Sequence, residues 1–156
     1  MNISVICIGK LKERFWVDAC AEYLKRLKAY AKVSVVELSD CDPAKVGGVQ
    51  ASKEKEADAI LAAIPDKARV LLLAIEGKLL SSEELAEKID AAALNGNSDL
   101  VFIIGGSCGV SDRVYARAHE KLSFGRITLP HNLARVVLLE QLYRSFKILR
   151  GEPYHK

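Results

Sequence analysis

The sequence predicts a three-layer α/β domain around a mostly parallel sheet of about five strands. Two observations carry this. Apolar, β-branched runs alternate with stretches of helical periodicity from one end of the chain to the other. Two of those runs, "RVLLLAI" and "SDLVFIIGG", are almost continuously apolar, the pattern of strands covered on both faces. Length agrees: 156 residues, half of them apolar and 28% charged, suit one domain spanning residues 1–156 with a core that needs no staples.

Each element has its own signal. "NISVICIG" alternates and is β-branched, so it reads as a strand. Residues 13–30 place Trp16, Val17, Cys20, Tyr23, Leu24 and Leu27 at helical spacing. "KVSVVEL" is a second strand, and "DPAKVGGVQ" a loop with paired glycines at 47 and 48. Residues 50–64 form a charged helix ended by Pro65. After "RVLLLAI", the stretch "SSEELAEKIDAAAL" opens a helix with Ser81 or Ser82 as N-cap and acids in its first turn. "SDLVFIIGG" runs into glycines. Residues 110–121 read as a short helix, and "GRITLP" as a short strand stopped by Pro130. Asn132 is placed to cap a last helix, 133–150, which Gly151 ends.

Composition narrows the function classes. Cys7, Cys20, Cys41 and Cys108 form no C-x-x-C pair, so no zinc or dithiol motif is indicated and no metal is expected. The N-terminus lacks a secretory signal, and no apolar run is long enough to span a bilayer. A cytoplasmic protein with reduced thiols is expected. Net charge is +3 but uneven. Residues 1–112 carry 14 Lys/Arg against 17 Asp/Glu, and residues 113–156 carry 9 against 3. That asymmetry points to an anionic partner near the C-terminal third, with nucleic acid the first candidate, or to a solvated basic face.

"GGSCG" at 105–109 lies between a strand and a helix. Literally it is the G-x-S-x-G elbow of α/β-hydrolases, with Ser107 as nucleophile and Asp112, His119, His131 and His155 downstream. The chain is small for that fold, and no upstream HGGG-type loop is present. Cys108 reads better as a small residue in a packed turn than as a nucleophile. The other reading concerns backbone: glycines at the end of a parallel strand let the chain approach a ligand closely, where open α/β sheets bind them. The loop is neither a G-x-G-x-x-G nor a P-loop sequence, so an adenosine-type ligand held by main-chain groups is the alternative to a plain structural turn.

On the last helix Leu138, Leu139, Leu142, Phe146 and Leu149 share a face, with Glu140, Arg144 and Lys147 opposite. Arg135 falls in the middle of the apolar face. Either its stem packs while its head reaches water, or its guanidinium is aimed at a phosphate or base. Val136, Val137 and Tyr143 widen the apolar surface, which suits a helix buried by the core and by a second subunit. Glu140 and Arg144 are spaced as a surface ion pair.

"IIGGSCGVSDRV", "LSFGRITLPHNLARVVLLEQLYRSFKILRGEPYHK" and "LLLAIEGK…SSEELA" resemble the ribosomal large subunit methyltransferase H (RlmH) family of SPOUT proteins. The resemblance spans the chain and is most specific over residues 103–156. It implies a homodimer with a deep trefoil knot in the C-terminal part, an exception to unknotted topology. It also implies S-adenosylmethionine bound in the knot, and methylation of N3 of a pseudouridine in a stem-loop of 23S rRNA on the assembled ribosome. By position, cofactor contacts fall on Leu73, Gly105, Phe124, Gly125, Arg126, Ile127, Thr128 and Leu129. Relatives often carry Asp where this chain has Ala74, so that carboxylate is absent here.

Such a reaction gives roles to four residues. His155 and His131 are chemically suited to take the imide proton, with neither assigned as base; Arg135 could hold a phosphate or a carbonyl oxygen. Tyr154 could stack on a base or pack between subunits. The tail, stiffened by Pro153, is expected over the cofactor pocket, in its own chain or across the dimer. The rivals are a non-catalytic RNA-binding module on the same fold and the Ser107 hydrolase.

Overall fold

The computed structural model describes residues 1–96 and 99–154. Five strands form one sheet: β1 (Asn2–Ile8), β2 (Lys32–Leu38), β3 (Arg69–Leu79), β4 (Asp99–Ile104) and β5 (Glu120–Ser123). Their order is β2-β1-β4-β3-β5, and every pairing is parallel. The helices are α1 (Arg14–Leu27), α2 (Pro43–Val46), α3 (Val49–Ala63), α4 (Ser82–Leu94), α5 (Asp112–Arg117) and α6 (His131–Leu149).

Alternation along the central strands separates two cores. Ile3, Val5, Cys7, Leu100, Phe102 and Ile104 face one way, against α1, α4 and α6. Ile6, Ile8, Val101 and Ile103 face the other, against α3 and α5. This is why β3 and β4 read as almost continuous apolar runs: both faces are covered. Cys7 and Cys20 belong to the first core, where burial pushes the Cys7 thiol up to about 12; it is a packed hydrophobe.

Local signals account for the helix ends. Ser81 caps α4, accepting from the Glu84 N–H while the Glu84 carboxylate accepts from the Ser81 N–H. The expected loop at 42–50 contains the single turn α2, capped by Asp42.

Three expectations are corrected. The strand over "GRITLP" does not form; the last strand lies just upstream, at Glu120–Ser123, where the reading had the end of a helix. Gly125 has φ +136°, a conformation that glycine alone adopts readily and that breaks a strand. Asn132 does not cap the last helix. That helix begins at His131 with Pro130 in the cap position, and Asn132 Oδ1 is buried without a hydrogen bond among the described residues. The sheet is wholly rather than mostly parallel.

Candidate active site

The site is built at the C-terminal ends of β3 and β4. β3 pairs with β5 through Leu71–Leu73, slips, and resumes at Lys78 and Leu79. The slipped residues swing Ala74, Ile75 and Glu76 into a cleft of about 660 Å³. That is an ordinary size for a small-molecule site. Gly77 makes the slip feasible, because a Cβ there would lie 2.6–2.7 Å from the backbone of Lys121 and Leu122. The opposite wall is Gly105–Ser107, Gly109 and Val110, a turn closed by the Gly109 N–H donating to the Gly106 carbonyl at 3.1 Å. Phe124, Gly125 and Ile127–Leu129 form the third side, and His131 and Ala134 of α6 close it.

Of the eight positions expected at a cofactor, seven line this cleft; Arg126 does not, its neighbours on both sides doing so. Much of the wall is backbone and apolar side chain. Glu76 is the one acid among the lining residues, and no Lys or Arg is among them. The Tyr115 hydroxyl donates to Glu76 Oε1 at 2.7 Å. That bond, then the Glu76 backbone N–H, hold the carboxyl below its usual value, and the Lys121 charge adds to them.

Of the three expected catalytic residues that are described, His131, Arg135 and Tyr154, His131 alone lines the cleft. The absent Cβ of Gly9 would sit 3.4 Å from its Nε2, so the β1–α1 turn backs the imidazole. Arg135 lies one turn further on, 1% exposed. Its head neither reaches water nor enters the cleft. Nη1 donates to Glu37 Oε2 at 2.7 Å and Nη2 to the Gly9 carbonyl at 2.9 Å. Glu37 also accepts from the Leu11 N–H at 3.0 Å. Burial alone would raise the Glu37 carboxyl, but the bonds from Arg135 and Leu11 outweigh it and hold the group below its usual value. Arg135 thus clamps the turn that backs His131. The Arg135 amino groups are placed on Glu37 and the Gly9 carbonyl rather than in the cleft.

Tyr154 is elsewhere. Its hydroxyl donates to Glu140 Oε1 at 3.3 Å, and its ring meets Tyr143 edge-on at 4.9 Å. The Arg144 guanidinium lies 4.7 Å over the ring. Burial, then the Glu140 charge, push the phenol up to about 12, so it stays a donor. Glu140 and Arg144 form the i,i+4 pair, but half-buried beneath the tail rather than solvated. Glu140 lies nine residues beyond His131, about 14 Å along the helix at 1.5 Å per residue. Tyr154 therefore packs away from its own chain's cleft. His155 lies outside the described residues.

The elbow motif finds no machinery. Ser107 is an exposed turn residue, and α5 starts only at Asp112. His119 Nδ1 accepts from the Val70 N–H at 2.9 Å, committed to the sheet. Four of the nine basic residues of the C-terminal third form ion pairs among the described residues: Arg113 with Glu54 and Asp58, Arg135 with Glu37, Arg144 with Glu140, Lys147 with Glu152. Sequence reading missed Gly9, Glu37, Glu76 and Tyr115. Only Glu76 had a signal, its place two residues after Ala74 on a strand, where alternate side chains share a face.

The model described as "Predicted SPOUT methyltransferase" matches residues 1–155. The chain belongs to the SPOUT methyltransferase family. Several full-length relatives carry one name. Ribosomal RNA large subunit methyltransferase H of Listeria monocytogenes serotype 4b (strain CLIP80459) is 54% identical over the whole of both chains. The proteins of that name from Bacillus pumilus and Bacillus thuringiensis subsp. konkukian are 53% and 56% identical over the same extent. A probable methylase family protein from Haemophilus influenzae Rd KW20 shares the fold, with TM-score 0.55 at 14% identity, covering 99% of this chain and 70% of that one. In this SPOUT chain no helix among the described residues is long and apolar enough to cross a membrane.

Proposed function

We propose that the chain is an S-adenosylmethionine-dependent methyltransferase of large-subunit ribosomal RNA, acting on N3 of a pseudouridine in a 23S rRNA stem-loop on the assembled ribosome, in the cytoplasm. The observation that carries the reading is the cleft. It has main-chain walls on two sides, one carboxylate and no cationic side chain from Lys or Arg. Such a lining suits a purine-bearing ligand with net positive charge, gripped through backbone groups. The full-length relatives named for ribosomal RNA methylation supply the substrate class.

The residues that would hold the cofactor are Leu73, Gly105, Phe124, Gly125, Ile127, Thr128 and Leu129, with Arg126 outside the lining. Bound there, the cofactor supplies an already activated methyl group. The protein then mainly positions the acceptor and excludes water. Pseudouridine N3 carries a proton that must leave. His131 is the cleft side chain suited to receive it, held in place by Gly9 and, through Gly9, by Arg135.

The reading includes the family's trefoil knot and a homodimer. Tyr154 packs on the far half of its own α6, which supports a tail that serves the cleft of a second copy. His155 belongs to that same tail. The target nucleotide leaves its stack to reach the cleft.

The deciding experiment is methyl transfer from labelled S-adenosylmethionine to ribosomes and to free rRNA, with mapping of the modified nucleotide. Label on pseudouridine N3 of ribosomal 23S rRNA is the expected result. Calorimetry separates the non-catalytic RNA-binding module: absence of S-adenosylmethionine binding at millimolar ligand sinks the enzyme reading.

A further inference from the structure

Glu76 is the feature of the cleft that the reaction leaves unexplained. Main-chain groups and apolar walls account for holding an adenosine-type ligand, and His131 for a proton. A carboxylate on the wall does neither. Yet it is built in with care. β3 has to slip against β5 to present it, and the slip depends on a glycine at 77. Tyr115 Oη donates to one of its oxygens at 2.7 Å. The Tyr115 ring in turn lies under the Lys121 ammonium at 5.3 Å. Glu76 lines the cleft with its carboxylate held by the Tyr115 hydroxyl and its own backbone N–H.

The bond to Tyr115 does not need a charge. A glutamine oxygen would accept the same hydroxyl proton. What glutamate adds is one negative charge on the wall of a partly enclosed, largely apolar cleft without Lys or Arg. In such surroundings a fixed charge acts on a ligand more strongly than it would in open water.

We propose that Glu76 selects the charge state of the ligand's sulfur: it favours S-adenosylmethionine, whose sulfonium is positive, over S-adenosylhomocysteine, whose thioether is neutral. The inference rests on the cofactor reading above. The two molecules differ by one methyl group and one positive charge, and the rest of the cleft reads features they share. Without a charged group on the wall, spent ligand would compete with fresh ligand on nearly equal terms. With Glu76 present, the attraction ends when the methyl group has gone. Tyr115 is a positioning residue in this scheme, fixing the carboxylate without contributing charge.

The test is calorimetric and needs no turnover. S-adenosylmethionine and S-adenosylhomocysteine are titrated into the wild-type protein, Glu76→Gln and Tyr115→Phe. Glu76→Gln is expected to weaken S-adenosylmethionine about tenfold, between the size of a charge pair in water and one near a protein surface, and S-adenosylhomocysteine less than about twofold. Retained affinity for the neutral ligand shows that the cleft is still folded. Tyr115→Phe is expected to keep the wild-type preference, since the charge remains. Equal losses for both ligands, or none for either, overturn the proposal. So does a Tyr115→Phe protein that reproduces Glu76→Gln, which would make the carboxylate a structural partner of the tyrosine. If the wild-type protein binds neither ligand, the cofactor reading fails together with this one. If it binds both and Glu76→Gln leaves their ratio unchanged, this one fails alone.

Discussion

The first turns of α6 and its second half use the same residue types to different ends. At the start, His131 borders the cleft and Arg135 is buried against β1 and β2, bonded to Glu37 and the Gly9 carbonyl. Further along, Glu140, Arg144 and Tyr143 pack under Tyr154 of the tail, beside Tyr30 and Phe146. One end is ordered by a buried ion pair that leaves an Arg135 Nε unsatisfied; the other by aromatic rings and half-buried pairs. A buried pair is a poor source of net stability, because desolvation offsets its attraction. Its value lies in where it fixes the chain, here the turn behind His131. The aromatic end, held by ring contacts and half-buried pairs, fixes no residue of the cleft wall.

The largest effect that tests this contrast is expected from Arg135→Ala. It strands the Glu37 carboxylate. A loss of about 3 kcal/mol is expected, the low end for breaking a buried pair. The low end applies because the Glu37 side chain is still 35% exposed. In a chain of this length that corresponds to a melting temperature lower by about 10 °C. Arg135→Met combined with Glu37→Gln should recover most of the stability while leaving methyl transfer impaired. Full recovery of both would reduce the clamp to packing. The pH response gives a second readout. Glu37 titrates below its ordinary value of 4.5 in the folded protein. A depressed carboxyl stabilises above its unfolded pKa, and that stability is lost as pH falls through the folded one. Acid melting below about pH 4.5 should therefore be steeper in the wild type than in the double variant, which lacks the group.

Next in size is Gly77→Ala. A methyl group 2.6 Å from a backbone carbon has no side chain to push aside, so β3 and β5 must part. About 1–3 kcal/mol is expected, together with loss of ligand binding in calorimetry. Wild-type affinity would show that the β3 slip is not what shapes the cleft.

A smaller effect is expected at the aromatic end. Tyr154→Ala removes an edge-on contact and a cation–π contact, worth about 1 kcal/mol together. Ligand affinity should be unchanged and methyl transfer reduced, since Tyr154 packs away from its own cleft. Mixed dimers sharpen the point. Tyr154→Ala paired with a cleft-dead Gly77→Ala chain retains, in one of its two sites, an intact cleft and an intact foreign tail only if the tail acts across the dimer.

How far the sequence led differs between these regions. Periodicity exposed β1–β4, α1, α3, α4 and α6, because burial on one or two faces leaves a repeat in the chain. It missed β5, "EKLS", an edge strand of four residues too short and polar to show a repeat. It reads "GRITLP" as a short strand stopped by Pro130, although Gly125 turns the chain there. The helical wheel put Arg135 on the apolar face correctly. It could not supply Glu37, 98 positions away, so the guanidinium was left without a partner and assigned to substrate. The cleft wall was legible at Leu73, Gly105 and 124–129 through resemblance, whereas Glu76 depends on a strand slip that leaves no mark in composition.

The smallest effect is expected at Ser107, the residue with the most conspicuous motif. A nucleophilic serine needs a base within hydrogen-bond reach and a strained turn leading directly into a helix. Ser107 is exposed and makes no hydrogen bond among the described residues. Its neighbours Gly105 and Gly109 are glycine for other reasons: a Cβ on Gly105 would meet Val110 Cγ1 at 2.7 Å, and Gly109 sits at φ +78°. The motif is thus a by-product of a tight turn that brings backbone to the cleft. Ser107→Ala should change stability by less than about 0.5 kcal/mol and leave both ligand affinity and methyl transfer near wild type. A large loss of transfer with binding intact would instead place the hydroxyl against the acceptor base, and would make the glycine turn a source of chemistry as well as shape.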